Sequence, residues 1–442
     1  MKSYFLLAFS LVGLCGFSQE KVWTLQECVS YAMENNLTIE RTKLNLENTK
    51  YDYEISKFSF LPNLNASGSE MINFGRSENP LTSTFQNYNI ANLSLQMNSS
   101  ITVYNGSRLM NTFKLNKAQI ESTTYGLKEL ENNITINIAN AYLQILFQKE
   151  LLETADQQFQ LSEKQLERMQ VRVDNGVESM SKLLEVEAQF FTDQQNKQSA
   201  YFNLQNSRLN LFQLLDIQNY ENQSIEIPPI NTPGTLDDLS VSQIHNLAQK
   251  ELPQYKKIEA DKKVAHLNTE IAKSGKRPSV SLGAGLSSGA ASILNLDAPE
   301  KPYIDQFDEN FRQFLSLNVN VPIFSQFRNN LSIQKALVNE KQISVNEKEL
   351  NNQVYKDIQS ALFNAKSAFE AYITAEKAFN SSSESYKNAN ERYKLDVLSI
   401  YDFQQSKNAL FSAKSKLIQA KYDYIFKTMV LKFYQGHPIT LE

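Results

Sequence analysis

Two periodicities divide this chain. From about Arg108 to Val173 large apolar residues return at every seventh position, as Ile138, Ile145, Leu152, Phe159, Leu166 and Val173, beside a mostly small row of Ile134, Ala141, Gln148, Ala155, Ser162 and Met169. Ile358, Ala365, Tyr372, Phe379, Tyr386 and Tyr393 repeat the phase, beside Val354, Ala361, Ala368, Ala375, Ser382 and Ala389. Large-against-small seams at this spacing predict long helices packed as coiled coils. Some 65 residues without proline would span roughly 100 Å. Each pattern ends in a short break, Arg172 to Ser179 and Arg392 to Ser399. The apolar ladder then resumes as Leu183, Phe190, Leu204 and Leu211, or as Phe403, Leu410, Leu417, Tyr424 and Leu431, with Lys197 interrupting the first. Two reversals, near 173–180 and 393–400, predict two long antiparallel hairpins in an internally duplicated chain. Gly176 suits a positive φ at the first reversal, and Asp396 stands in its place at the second.

The second periodicity is two. Pro62-Asn-Leu-Asn-Ala-Ser-Gly68 and Pro278-Ser-Val-Ser-Leu-Gly-Ala284 open extended stretches where proline loses no ladder hydrogen bond. Ala91, Leu93, Leu95, Met97, Ile101 and Val103 alternate with small neutral polar residues, as do Leu315, Leu317, Val319, Val321 and Ile323. Strands are expected over 61–69, 90–104, 278–287 and 312–324, with loops from Glu70 to Asn89 and Ser287 to Asn310. A half-buried sheet in a soluble domain is the ordinary reading of such alternation. A length of about 10 to 13 residues and a neutral polar face favour membrane-barrel strands. Four strands cannot close a barrel, and hydrocarbon does not tolerate open edges; closure would take several chains. Ahead of each strand pair lie a short helix and a second helix. These are Thr24 to Asn36, with a Thr24/Glu27 capping box, then Thr38 to Lys57, echoed by Ser240 to Leu252, then Gln254 to Lys273.

Composition narrows the function. The 442 residues include 13 Gly and 11 Pro, which leaves room for long helices. A mean hydropathy of −0.42 argues against a polytopic helical membrane protein. Net charge is −4 with no basic stripe, so nucleic acid is not an expected partner. Lys2, the apolar run Tyr4 to Phe17 and Gly16-Phe-Ser18 form an export signal over 1–18. Leu14 before Cys15 is too large for a lipobox, which leaves Cys28 as a lone thiol expected on a buried apolar face. The rest divides into repeats at 19–230 and 231–442. His245, His266 and His437 have no partners at metal-ligand spacing, and no phosphate loop or nucleophile elbow appears. No enzyme activity, cofactor or metal is expected. Asp174, Glu178, Asp396 and Asp402 mark the reversals as acidic: either plain polar turns, or an anionic ring if several copies converge there.

The opening helix, the proline-led strands at Pro62 and Pro278, and the tips Val173 to Leu184 and Tyr393 to Phe403, in this order and twice over, resemble the TolC-like outer-membrane efflux proteins. The resemblance covers everything after the signal. It implies a mainly α fold with membrane β structure: a homotrimer whose four strands per chain give a 12-stranded barrel in outer-membrane lipid, continued by a periplasmic α-barrel of twelve helices. The function implied is a passive exit duct of a tripartite efflux or type I secretion system in a diderm bacterium, served by a periplasmic adaptor and an inner-membrane transporter. The tips would be the periplasmic aperture and the adaptor contact. By the same alignment Asp402 matches one aperture aspartate, Gln405 replaces its neighbour, Asp396 adds charge nearby, and Lys182 is the first-half counterpart of Asp402, which implies an Asp402–Lys182 contact holding the entrance shut. Adaptor contact falls on Asn175, Gly176, Val177, Glu178, Ser179, Leu395, Val397, Leu398 and Ser399. The alternative is a periplasmic helical-hairpin adaptor or scaffold.

Overall fold

The structure is a computed structural model and describes residues 21–78, 83–87, 89–218, 220–228, 234, 238–294 and 301–439. The expected export signal lies outside them. In chain order come β1 (Lys21–Trp23), α1 (Leu25–Asn35), α2 (Leu37–Phe58), β2 (Asn63–Asn73), β3 (Arg76–Glu78), β4 (Phe85–Asn87), β5 (Ile90–Asn105), α3 (Arg108–Asp174) and α4 (Met180–Leu214). There follow β6 (Gln223–Ile225), α5 (Val241–Glu251), α6 (Pro253–Ser274), β7 (Ser279–Ile293), α7 (Tyr303–Glu309), β8 (Arg312–Asn320), α8 (Arg328–Lys394) and α9 (Ile400–Tyr434). The long helices α3 and α8 both have 67 residues, and the returning helices α4 and α9 both have 35. The equal lengths follow from heptad ladders that keep the same phase in both halves. Two compact units form: unit 1 is Met1–Glu40, Leu130–Glu251 and Val354–Glu442, and unit 2 is Arg41–Glu129 and Leu252–Gln353.

Unit 1 holds the main hydrophobic core. Thr24 Oγ1 accepts from the Glu27 amide at 3.1 Å while the Glu27 carboxylate accepts from the Thr24 amide at 2.9 Å, starting α1 with the expected reciprocal cap. Ser240 and Gln243 repeat the exchange at α5. Strands β1 and β6 pair in parallel and frame a cluster that includes Trp23, Cys28, Ile138, Tyr142, Leu211 and Phe212. Burying each such side chain contributes about 1.5–3 kcal/mol. Tyr142 donates its hydroxyl to the Glu226 carbonyl at 2.7 Å, and burial pushes the phenol well above its ordinary pKa. Lys197, the break in the first return ladder, pairs with Asp156 at 2.6 Å and stands 4.7 Å over the Phe159 ring, so the interruption ties α4 to α3.

Unit 2 contains an antiparallel sheet in the order β2-β5-β7-β8. Register places Ala66, Met97, Leu286 and Gln313 in one row and Asn65, Asn98, Gly285 and Phe314 in the next, so successive rows face opposite sides. The apolar side is bare: Leu315 is 80% and Leu317 63% exposed. A soluble half-buried sheet would cover that side. The outer ends differ from expectation. Strand β2 reaches Asn73 and β7 reaches Ile293, although Ser288 to Ser292 carry no alternation, because the backbone ladder to Ile90–Gln96 holds them. Helix α7 fills part of the expected loop: Gln306 accepts from the Ala291 amide at 2.9 Å and Asn310 donates to the Gly289 carbonyl at 2.7 Å, along the edge that the shorter β8 leaves open. β8 ends at Asn320, short of 324, just before Pro322, which has no N–H for the ladder. Each strand pair leaves for its long helix through two left-handed residues, Gly106 and Ser107, then Gln326 and Phe327. At Gly106 a Cβ would lie 2.7 Å from the Arg277 Cβ, so glycine is required. No described helix is long and apolar enough to cross a membrane.

Candidate functional site

Both hairpin turns belong to unit 1 and share one backbone solution. At the first, Gly176 N–H bonds the Val173 carbonyl at 2.9 Å and Val177 N–H the Arg172 carbonyl at 2.8 Å. At the second, Asp396 N–H bonds Tyr393 at 3.1 Å and Val397 N–H bonds Arg392 at 3.0 Å. This is the Schellman pattern, which needs a left-handed residue just past the helix. Gly176 supplies it at φ +73° and Asp396 at φ +56°. Ser399 then caps α9, accepting from the Asp402 amide at 3.1 Å, whereas Ser179 makes no side-chain cap on α4.

The acids marked by sequence have different partners. Arg172 Nη1 reaches Asp396 at 3.2 Å and its Nη2 reaches Glu178 at 3.4 Å, so one guanidinium joins the two turns. Lys182 holds the other oxygen of Glu178 at 2.7 Å. Asp402 accepts from the Ser399 hydroxyl at 2.7 Å, Asp174 accepts from Gln170 at 2.9 Å, and Gln405 is exposed. Among the described residues no ion pair links Lys182 with Asp402. Val177, Leu395 and Val397 project into solvent, but Leu398 packs inward on a cluster of Met169, Leu183, Val186, Ile400 and Phe403. Tyr393 stacks on Phe403 with centroids 4.5 Å apart, and its burial raises the Tyr393 pKa. Arg172 was seen in sequence as the start of a turn, not as the cation that neutralises it. Its acid partner Asp396 is 224 residues away.

A second charged group, absent from the sequence reading, lies deeper in the hairpins. Lys407 on α9 and Asp193 on α4 are both fully buried and 3.1 Å apart. Ser162 on α3 donates to the same carboxylate and accepts from Lys407 at 2.8 Å. Gln158 at 2.7 Å and Gln189 at 2.8 Å donate to the other oxygen. Burial lowers the Lys407 pKa, and Asp193 opposes that shift. Three helices from both hairpins therefore meet on one carboxylate. The available signal was a lysine standing between Phe403 and Leu410 on an otherwise apolar face.

The family model described as outer membrane efflux protein matches residues 28–216 and 244–436, through both hairpins. Outer membrane protein TolC of Escherichia coli (strain K12) is 21% identical over 431 residues, 97% of this chain and 84% of that protein. A solved structure of CusC superposes with a TM-score of 0.79 at 16% identity over 99% of both chains. The Campylobacter jejuni CmeC outer membrane channel does so with 0.78 at 17%, over 93% of this chain and 86% of that one.

Proposed function

Because this chain belongs to the outer membrane efflux protein family, we propose that three copies close a single exit duct, fed by a periplasmic adaptor and an inner-membrane transporter. The periplasmic-adaptor alternative is not favoured, since the family match runs through both hairpins and both strand pairs. The observation that carries the threefold reading is the pair of unfinished surfaces on unit 2. Strands β2 and β8 are the two edges of the sheet. β2 follows α2, whose Leu44, Tyr51 and Phe58 recur every seven residues and are each more than half exposed. β8 leads into α8, whose Leu331, Val338 and Val345 do the same. Each open strand edge is thus continuous with an apolar helix stripe. Head-to-tail pairing of one chain's β8 and α8 with the next chain's β2 and α2 satisfies both at once and closes as a ring. Three copies give twelve strands, with the apolar face toward lipid and the polar face toward the lumen.

In this arrangement the turns form the periplasmic aperture. Asp396, Asp402 and Gln405 recur around the axis with Lys182, whose bond to Glu178 competes with any contact to Asp402. The adaptor meets Asn175, Gly176, Val177, Glu178 and Ser179 at one turn and Leu395, Val397, Leu398 and Ser399 at the other. Exposed Val177, Leu395 and Val397 supply the apolar part of that surface. The test is cysteine crosslinking between the two stripes. A Tyr51→Cys/Val338→Cys variant, detergent-purified and treated with a bismaleimide, is expected to give a ladder that stops at three chains. Monomers alone, or a ladder continuing past three, overturn the reading.

A further inference from the structure

We infer that Phe314 and Arg312 form a landing strip for aromatic anions on the polar face of the sheet; this rests on the duct reading, which makes that face the lumenal wall. The polar face is built mainly from Asn, Ser, Gln and Gly. Among the residues paired across β2, β5, β7 and β8, Arg312 is its one formal charge and Phe314 its one aromatic ring. They stand two residues apart on the same strand, so they share a face and lie about 7 Å apart along it.

The ring is placed by what opposes it. Phe314 pairs with Gly285, and a Cβ on Gly285 would lie 2.5 Å from the ring's Cε1 and Cζ. The ring therefore lies over bare glycine backbone, where any larger residue would displace it. Asn98, from the next strand, brings its Oδ1 to the same spot, 2.6 Å from that Cβ position. Phe314 remains 49% exposed, so about half of the side chain is open to solvent. In the adjoining row Arg312 pairs with Ser287, which pairs with Gln96. Arg312 is exposed and has no carboxylate partner among the described residues. An aromatic ring for stacking, a free guanidinium one step along and flanking amides fit a planar ring that carries a carboxylate, sulfonate or phosphate. An aliphatic anion can use only the arginine, and an aromatic cation only the ring.

Covering Gly285 could alone account for the ring as a structural element, so the test must read solute chemistry. In planar bilayers, current through the intact assembly is titrated with benzenesulfonate, methanesulfonate and benzylammonium. Benzenesulfonate is expected to block the wild type at roughly threefold to tenfold lower concentration than either. Phe314→Leu, which still covers the glycine, should erase the advantage over methanesulfonate. Arg312→Gln should erase the advantage over benzylammonium. Conductance without discrimination in the wild type, or discrimination that survives both substitutions, overturns this inference and leaves the duct intact. A wild type that never conducts overturns the duct and the inference with it.

Discussion

Among the described residues three ion pairs tie the two hairpins together, Arg172–Asp396, Lys407–Asp193 and Lys421–Glu150, and the first two are built in opposite ways. At the turns Arg172 bridges to Asp396 with side chains 40% and 68% exposed. Deeper in, Lys407 and Asp193 meet with no exposure at all, and hydroxyl and amide groups from α3 and α4 complete the carboxylate's shell. An exposed pair contributes about 0–1 kcal/mol and is screened by salt. A buried pair contributes little relative to an apolar replacement, but stripping it of one member is costly. The deep tie therefore fixes which residues of α9 stand against α3 and α4, as a polar group does within a coiled-coil seam. The shallow tie fixes little, and breaking it costs little. The register is thus held along the helices, and the weaker link lies at the turns.

The sharpest way to break this comparison is at the deep tie. Lys407→Met leaves the Asp193 carboxylate buried without a cation and is expected to cost about 3–5 kcal/mol. Lys407→Met/Asp193→Leu should recover most of that, since Ser162 keeps its bond to the Gln158 carbonyl and the freed amides of Gln158 and Gln189 are only partly buried. The measurement is a double-mutant cycle on the denaturant midpoint of the helical circular-dichroism signal. If the double variant is as unstable as the single, the group matters for packing and the electrostatic account of it is wrong.

Arg172→Ala is the matching change at the shallow tie. It removes both arms of the bridge while Lys182 keeps Glu178, and the expected loss is about 1 kcal/mol or less. At roughly 1 M salt, where the screening length is about 3 Å, most of that loss should vanish. Lys407→Met, shielded from solvent, should be equally harmful in low and high salt. Equal salt sensitivity of the two variants would remove the distinction between the ties.

How much of this was legible depends on whether the signal is local. The turns were, because Gly176 and the interrupted ladders lie within a few residues of each other. So were the Thr24/Glu27 cap and the alternating strand centres. The outer ends of β2 and β7 were not: Ser288 to Ser292 are small on both faces, and their pairing with β5 is decided by backbone rather than side-chain pattern. The tip acids were read, but the cation that Glu178 and Asp396 share was not, since Arg172 and Asp396 meet only once both hairpins have formed. Lys407, Asp193 and Ser162 come from three helices. Ser162 had registered as a small seam residue, and nothing near it in sequence shows the carboxylate it would meet.

The smallest expected effect lies in the turn itself and separates the two contributions of Asp396, its charge and its left-handed backbone. Asparagine tolerates positive φ at least as well as aspartate does, so Asp396→Asn removes the bridge and keeps the conformation. Glycine adopts that conformation without strain but adds freedom to the unfolded chain, worth about 0.4–1 kcal/mol in the other direction. Asp396→Asn is therefore expected to lose at most about 1 kcal/mol in low salt, and Asp396→Gly to fall within about 0.5 kcal/mol of it. The first turn is the control: nothing lies within 4 Å of a Cβ at Gly176, so Gly176→Ala reads backbone strain alone, about 1–2 kcal/mol. Thermal or denaturant midpoints of these three variants give the size of the bridge free of the turn. A loss for Asp396→Asn that rivals Lys407→Met would show that the exposed tie carries as much as the buried one, and the turns would then be no easier to part than the helices above them.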